Sequence, residues 1–174
     1  MSKGLGVVLL LGAVLTWGCG DDNDRDAGGL AGSCSLGVEL GGAVSRSQRV
    51  SEQLACATQH SFESGVDNLF LSANAELRFE LGIADIEEGA TGQYPAHVEI
   101  LVEAHRFRTA PNGCSVNVTE HALVARENTE IGEVRRYRVV GSGSCSAPAE
   151  PVNEQGEPVT VGAFQFRQPA VWRD

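Results

Sequence analysis

Ala75–Leu81 reads AELRFEL and His97–Phe107 reads HVEILVEAHRF. In the first stretch Leu77, Phe79 and Leu81 alternate with Glu76, Arg78 and Glu80. A period of two gives a strand with one buried face and one wet face. In the second, Val98, Ile100, Val102 and Ala104 share a face, opposite His97, Glu99, Leu101, Glu103 and His105. Val98, Leu101, Val102 and His105 also satisfy a helical spacing, but β-branched residues at alternate positions favour one continuous strand.

Working outward, further strands are expected at Ser35–Leu40, Asn68–Ala73, Ser115–Ala125 and Val134–Val140. In VTVGAFQF, Val159 and Val161 fall on the face opposite Phe164 and Phe166, unless Gly162 is a bulge that unites all four. Turn signals recur at Gly89–Gly92, Pro111–Gly113, Gly141–Gly143 and Pro148–Gly156. Short strands between frequent turns predict a mainly β chain: a single antiparallel β-sandwich or jelly-roll-like domain. Ser47–His60 is the exception. Val50, Leu54 and Ala57 recur at helical spacing behind a capping Ser47, so one short helix is expected there.

The chain has 174 residues, of which 42% are hydrophobic, enough to bury a core within one domain. Acids outnumber bases 23 to 13, for a net charge of −10. A nucleic-acid binder carries a basic face, so this balance argues against one. Aromatics are only 6%, and Tyr94, Tyr137 and Trp172 are the only tyrosines and tryptophan beyond residue 18. That scarcity weakens a carbohydrate module of the ring-stacking kind.

The N-terminus carries an address. Met1-Ser2-Lys3 is a short basic start, and Gly4–Leu15 is uncharged but too short to span a bilayer, which needs about 20 apolar residues. A secretory signal has this form. Gly18-Cys19 resembles the end of the lipobox of bacterial lipoproteins, in which a small residue precedes a cysteine that is diacylated and becomes the new N-terminus. Leu15 sits one place early for that pattern, and Thr16 and Trp17 depart from it, so ordinary signal-peptidase cleavage after Gly20 stays open as the secreted alternative. The resemblance implies residues 1–18 as signal peptide, lipidation at Cys19, and a membrane anchored through it. The segment GDDNDRDAGGLAGS, Gly20–Ser33, reads as an acidic tether, leaving 34–174 as the domain. A flexible chain of this length reaches about 20 Å.

Five cysteines in an exported chain leave an odd one. Giving Cys19 to lipid leaves Cys34, Cys56, Cys114 and Cys145, an even set for an oxidising compartment. Proximity pairs Cys34 with Cys56 and Cys114 with Cys145, one of three possible connectivities. No C-x-x-C spacing supports a metal site. With its lipobox-like signal, acidic linker and small cysteine-paired β domain, the whole resembles the lipoproteins of high-GC Gram-negative bacteria. That likeness implies a cell-envelope location, at the outer membrane, and carries no activity with it.

Chemistry is hard to find. The four histidines make no H-E-x-x-H, Gly141–Cys145 makes no G-x-S-x-G, and beyond Lys3 the chain has no lysine. Two groups remain as candidates. Glu99, Glu103 and His105, on the outer face of the supposed single strand, converge on a divalent ion if they act at all; charged residues facing water are the commoner meaning of that pattern. Arg135, Arg136 and Arg138 cluster in an acidic chain and suit an anion, or cross-strand pairing with the nearby glutamates. No cofactor is implied. The expectation is a non-enzymatic, lipid-anchored envelope protein that binds a protein or glycan partner. The alternative is a hydrolase or metal-dependent enzyme whose site is assembled from distant residues.

Overall fold

The computed structural model describes residues 34–51, 56–60, 65–71, 76–102, 104–130, 132–152 and 156–173. The expected signal, Cys19 and the tether lie outside the described residues. Eleven strands follow one another: β1 (Ser35–Gly42), β2 (Arg46–Ser51), β3 (Cys56–His60), β4 (Gly65–Leu71), β5 (Leu77–Ala84), β6 (Gly92–Val102), β7 (His105–Arg108), β8 (Cys114–Thr129), β9 (Gly132–Cys145), β10 (Glu150–Pro151) and β11 (Val159–Arg173). They form one antiparallel sheet in the order β2-β1-β11-β9-β8-β6-β5-β4-β3, with β7 folded back on β6 and β10 paired to β7.

From β3 to β11 the path is a run of hairpins, and the N-terminal pair β1–β2 then adds to the far side of β11. This meander takes the place of the jelly-roll alternative, which needs long Greek-key crossings between strands. The sheet curls far enough to bring β3 and β4 against β11. Across the space so enclosed, the rings of Phe79 on β5 and Phe164 on β11 meet edge to face at 5.9 Å. The core between these layers is built by alternation: Leu77, Phe79 and Leu81 are each 0% exposed, as are Val98 and Ile100 on the neighbouring strand. Each such side chain contributes about 1.5–3 kcal/mol by leaving water.

Gly162 behaves as a bulge. Val38 pairs Phe164 but Leu40 pairs Val161, so β11 carries one extra residue opposite Glu39. That slip puts Val159, Val161, Phe164 and Phe166 together in the core.

Three expectations are corrected. The first is the helix at Ser47–His60: there is no helix among the described residues, and the stretch supplies β2 and β3 on either side of 52–55. Its helical spacing is weak. The open edges of β1 and β4 offer backbone donors and acceptors that a short helix would leave unmatched.

Second, HVEILVEAHRF is two strands. Val102 pairs His105, leaving only positions 103 and 104 as the loop, and Ala104 has φ 69°. Two-residue hairpins favour φ > 0 and are usually announced by Gly or Asn, which this sequence lacks. Third, Gly141–Gly143 is the interior of β9 and no turn. A Cβ on Gly141 would lie 2.7 Å from the Phe166 ring, and one on Gly143 would lie 2.5 Å from the Phe164 ring. These glycines let two phenylalanines of the next strand lie flat across β9.

Cys114 and Cys145 face each other across β8 and β9 and form a disulfide. Of the second expected pair, Cys34 is disulfide-bonded, while the side chain of Cys56 lies outside the described ones. Cys114–Cys145 is thus the one bridge whose two ends are both described.

Candidate functional site

Because β6 and β7 form a hairpin, Glu99 and His105 do not stand along one strand. Glu99 lies opposite Arg108. Its carboxylate accepts hydrogen bonds from Arg106 Nε and, at 2.8 and 2.5 Å, from Nε and Nη2 of Arg108. Burial works to raise the Glu99 pKa, but the hydrogen bonds from the two guanidinium groups outweigh it and hold the carboxyl below its ordinary value. A carboxylate so engaged has little left for a cation. Glu103 lies outside the described residues, and among those described no group of three His, Cys, Asp or Glu side chains gathers as a metal site.

The three arginines are distributed over both faces of β9. Alternation puts Arg135 with Tyr137 on the inner face, and Arg136 with Arg138 on the outer. Arg135 donates to Glu88 Oε1 at 2.6 Å and to Glu133 Oε2 at 2.9 Å. Arg136 reaches Glu127 at 3.4 Å, and Arg138 donates to Glu120 at 2.8 Å. The cluster is matched by carboxylates, the pairing half of the expectation.

Around Arg135 lies an aromatic knot that pattern reading reached only through Trp172. The rings of His121, Tyr137 and Trp172 are mutually 4.8–5.1 Å apart. The Tyr137 hydroxyl donates to Glu88, and His121 Nδ1 is 2.9 Å from the carbonyl of Ala90. Burial pushes the His121 pKa below its ordinary value, with the contact to Ala90 and the charge of Glu88 opposing. His121 and the fully buried Gln168 stand in one row on either side of Val139. The knot fastens the last strand to the sheet.

An open groove lies elsewhere. A groove of about 1050 Å³ runs over the outer face of β1, β11, β9, β8 and β6. Its side chains come from strand positions that alternate with the buried ones: Gln165, Ser142, Asn117 and Gln93 project outward, while Phe164, Phe166, Val116 and Val118 point into the core. The lining mixes hydroxyl and amide side chains with apolar ones such as Val140 and Ala163, and holds one acid, Glu39, and one base, Arg167. Thr119, at a bulge in β8, donates to the carbonyl of Val140. The side chains of Gln93, Ser115, Asn117, Ser142, Ser144 and Gln165 make no hydrogen bond to a partner among the described residues. No motif announced this groove. Its one signal is the run of Ser, Asn and Thr at alternate positions 115, 117 and 119, where an ordinary wet face would carry charges.

No protein-family model, curated protein or solved structure matches this chain. The groove's chemistry is therefore judged on its own residues. Its Ser, Thr, Asn and Gln side chains offer hydrogen bonds to a bound surface.

Proposed function

We propose that this protein is a lipid-anchored, non-enzymatic module of the bacterial cell envelope, built as a β-sandwich and binding an envelope partner through the outer groove. One observation carries this reading: a groove of about 1050 Å³ lined by Gln93, Ser115, Asn117, Ser142, Ser144 and Gln165, whose side chains make no hydrogen bond to a partner among the described residues. A concave surface with convergent polar groups is the default hypothesis for a binding site. The lipobox-like Gly18-Cys19 and the acidic tether supply the address. Two acyl chains at Cys19 give stable anchoring at about 0.8 kcal/mol per buried methylene, and among the described residues no helix is long and apolar enough to cross a membrane.

The test is made on the full mature protein extracted with detergent from its native membranes. The expected intact mass is that of a chain beginning at acylated Cys19. The extracted protein is expected to sediment with delipidated envelope polymer, and Ser142→Arg to release it. Retention unchanged by Ser142→Arg would remove the groove from the reading, and a soluble chain beginning elsewhere would remove the anchor.

A further inference from the structure

Resting on the groove as the binding site, we infer that its ligand is an uncharged, extended glycan chain lying across the strands. The register sets four side chains in one line: Gln165 pairs Ser142, Ser142 pairs Asn117, and Asn117 pairs Gln93. All four are exposed and belong to the adjacent strands β11, β9, β8 and β6. Neighbouring strands are about 4.8 Å apart, so the line spans about 14 Å with a hydrogen-bonding group at each step. That step is close to the length of one sugar ring in an extended chain. Ser144 and Ser115 pair in a second line, two residues along each strand or about 7 Å away, wide enough to reach the other edge of the same rings.

The chemistry of the line matches the ligand. Amides and hydroxyls both donate and accept, as sugar hydroxyls do. The lining charges, Glu39 and Arg167, cancel in a chain whose net charge is −10. The lining itself thus favours neither sign, and the net charge of the chain disfavours an anionic polymer relative to a neutral one. Tyr94, Tyr137 and Trp172 are absent from the lining, so the sugars are gripped at their edges. An extended peptide fits less well. Strand addition uses the backbone at a sheet edge, and this groove is a sheet face.

The experiment is titration calorimetry with the full mature protein in detergent. Its probes are the tetrasaccharides of glucose and of N-acetylglucosamine, a tetrasaccharide of uronic acid, and a Gly-Ser octapeptide. A neutral tetrasaccharide is expected to bind saturably, with an affinity that does not change between low and high salt. Ser142→Arg is expected to weaken it more than tenfold and Asn117→Ala several-fold, both with an unshifted melting temperature. Binding of the uronic acid or the peptide in place of the neutral sugars, lost in Ser142→Arg, would overturn the uncharged glycan as ligand and leave the groove as a binding site. Neutral sugar binding that Ser142→Arg leaves unchanged, or no binding by any probe, overturns the inference. Release from envelope polymer by Ser142→Arg judges the underlying reading separately.

Discussion

The outer face of the β8–β9 hairpin is two surfaces in one. Toward the hairpin tip it carries Arg136 and Arg138 against Glu127 and Glu120. Toward the disulfide end the same face of the same strands carries Ser142 and Ser144 against Asn117 and Ser115. The change falls between Arg138 and Val140, beside the bulge at Thr119. Both halves are wet and polar, so alternation accounts for either. The difference is in what the groups do: the charged half is satisfied by its own opposite charges, whereas the uncharged half leaves its donors and acceptors to whatever lies in the groove. A polar surface becomes a candidate site when its own residues do not use it up.

The comparison can be broken hardest at the groove's end. Replacing Cys114 and Cys145 with alanine removes a loop constraint over a sequence separation of 31 residues, and is expected to cost about 3–4 kcal/mol in denaturant unfolding. Next is Gly143→Ala. Its Cβ would meet the Phe164 ring at 2.5 Å and the Ser115 carbonyl at 2.8 Å, so a loss of about 1–3 kcal/mol is expected, together with a distorted groove floor. Stability unchanged by this variant would mean that β9 and β11 are packed more loosely than the glycines imply.

Acid should act on groups outside both halves. His121 has a depressed pKa, so the unfolded chain takes up its proton first. Stability is full above the ordinary value of 6.5 and falls as the pH drops through 6.5 toward the folded value. Glu99 is also depressed, but as an acid it contributes above the ordinary 4.5, and that contribution is lost as the pH falls from 4.5 through its folded value. Thermal melts in steps of pH should therefore show a first loss below 6.5, abolished in His121→Leu relative to its own neutral baseline, and a second below 4.5. The groove residues bear on neither step. The smallest effect is expected at the border pair: a double-mutant cycle on Arg138 and Glu120, 41% and 40% exposed, should give no more than about 1 kcal/mol, shrinking with salt. A larger coupling would make the charged half more than a solvated surface.

Much of the β architecture was legible. The alternation at Leu77, Phe79 and Leu81 follows from spacing and residue type; the bulge at Gly162 and the pair Cys114–Cys145 were among the readings that spacing left open. The β6–β7 hairpin was hidden because Ala104 takes a left-handed conformation with no glycine to announce it. The run at Gly141–Gly143 looked like a turn because glycine has two uses, and only the rings of Phe164 and Phe166 tell which one applies. The groove was scarcely legible. Its line of four side chains joins positions 93, 117, 142 and 165, which only strand register brings together.

By itself the sequence determined the period of the strands, the faces they bury, the acidic charge and the lipoprotein-like start. These are local properties, set by the alternation of side chains along an extended chain and by composition. The tertiary structure alone decided which strands are neighbours, which carboxylate each arginine meets, and where uncharged polar residues are left without partners. Each of those depends on register and on the curl of the sheet, and both are collective outcomes of packing Phe79 against Phe164 across the core.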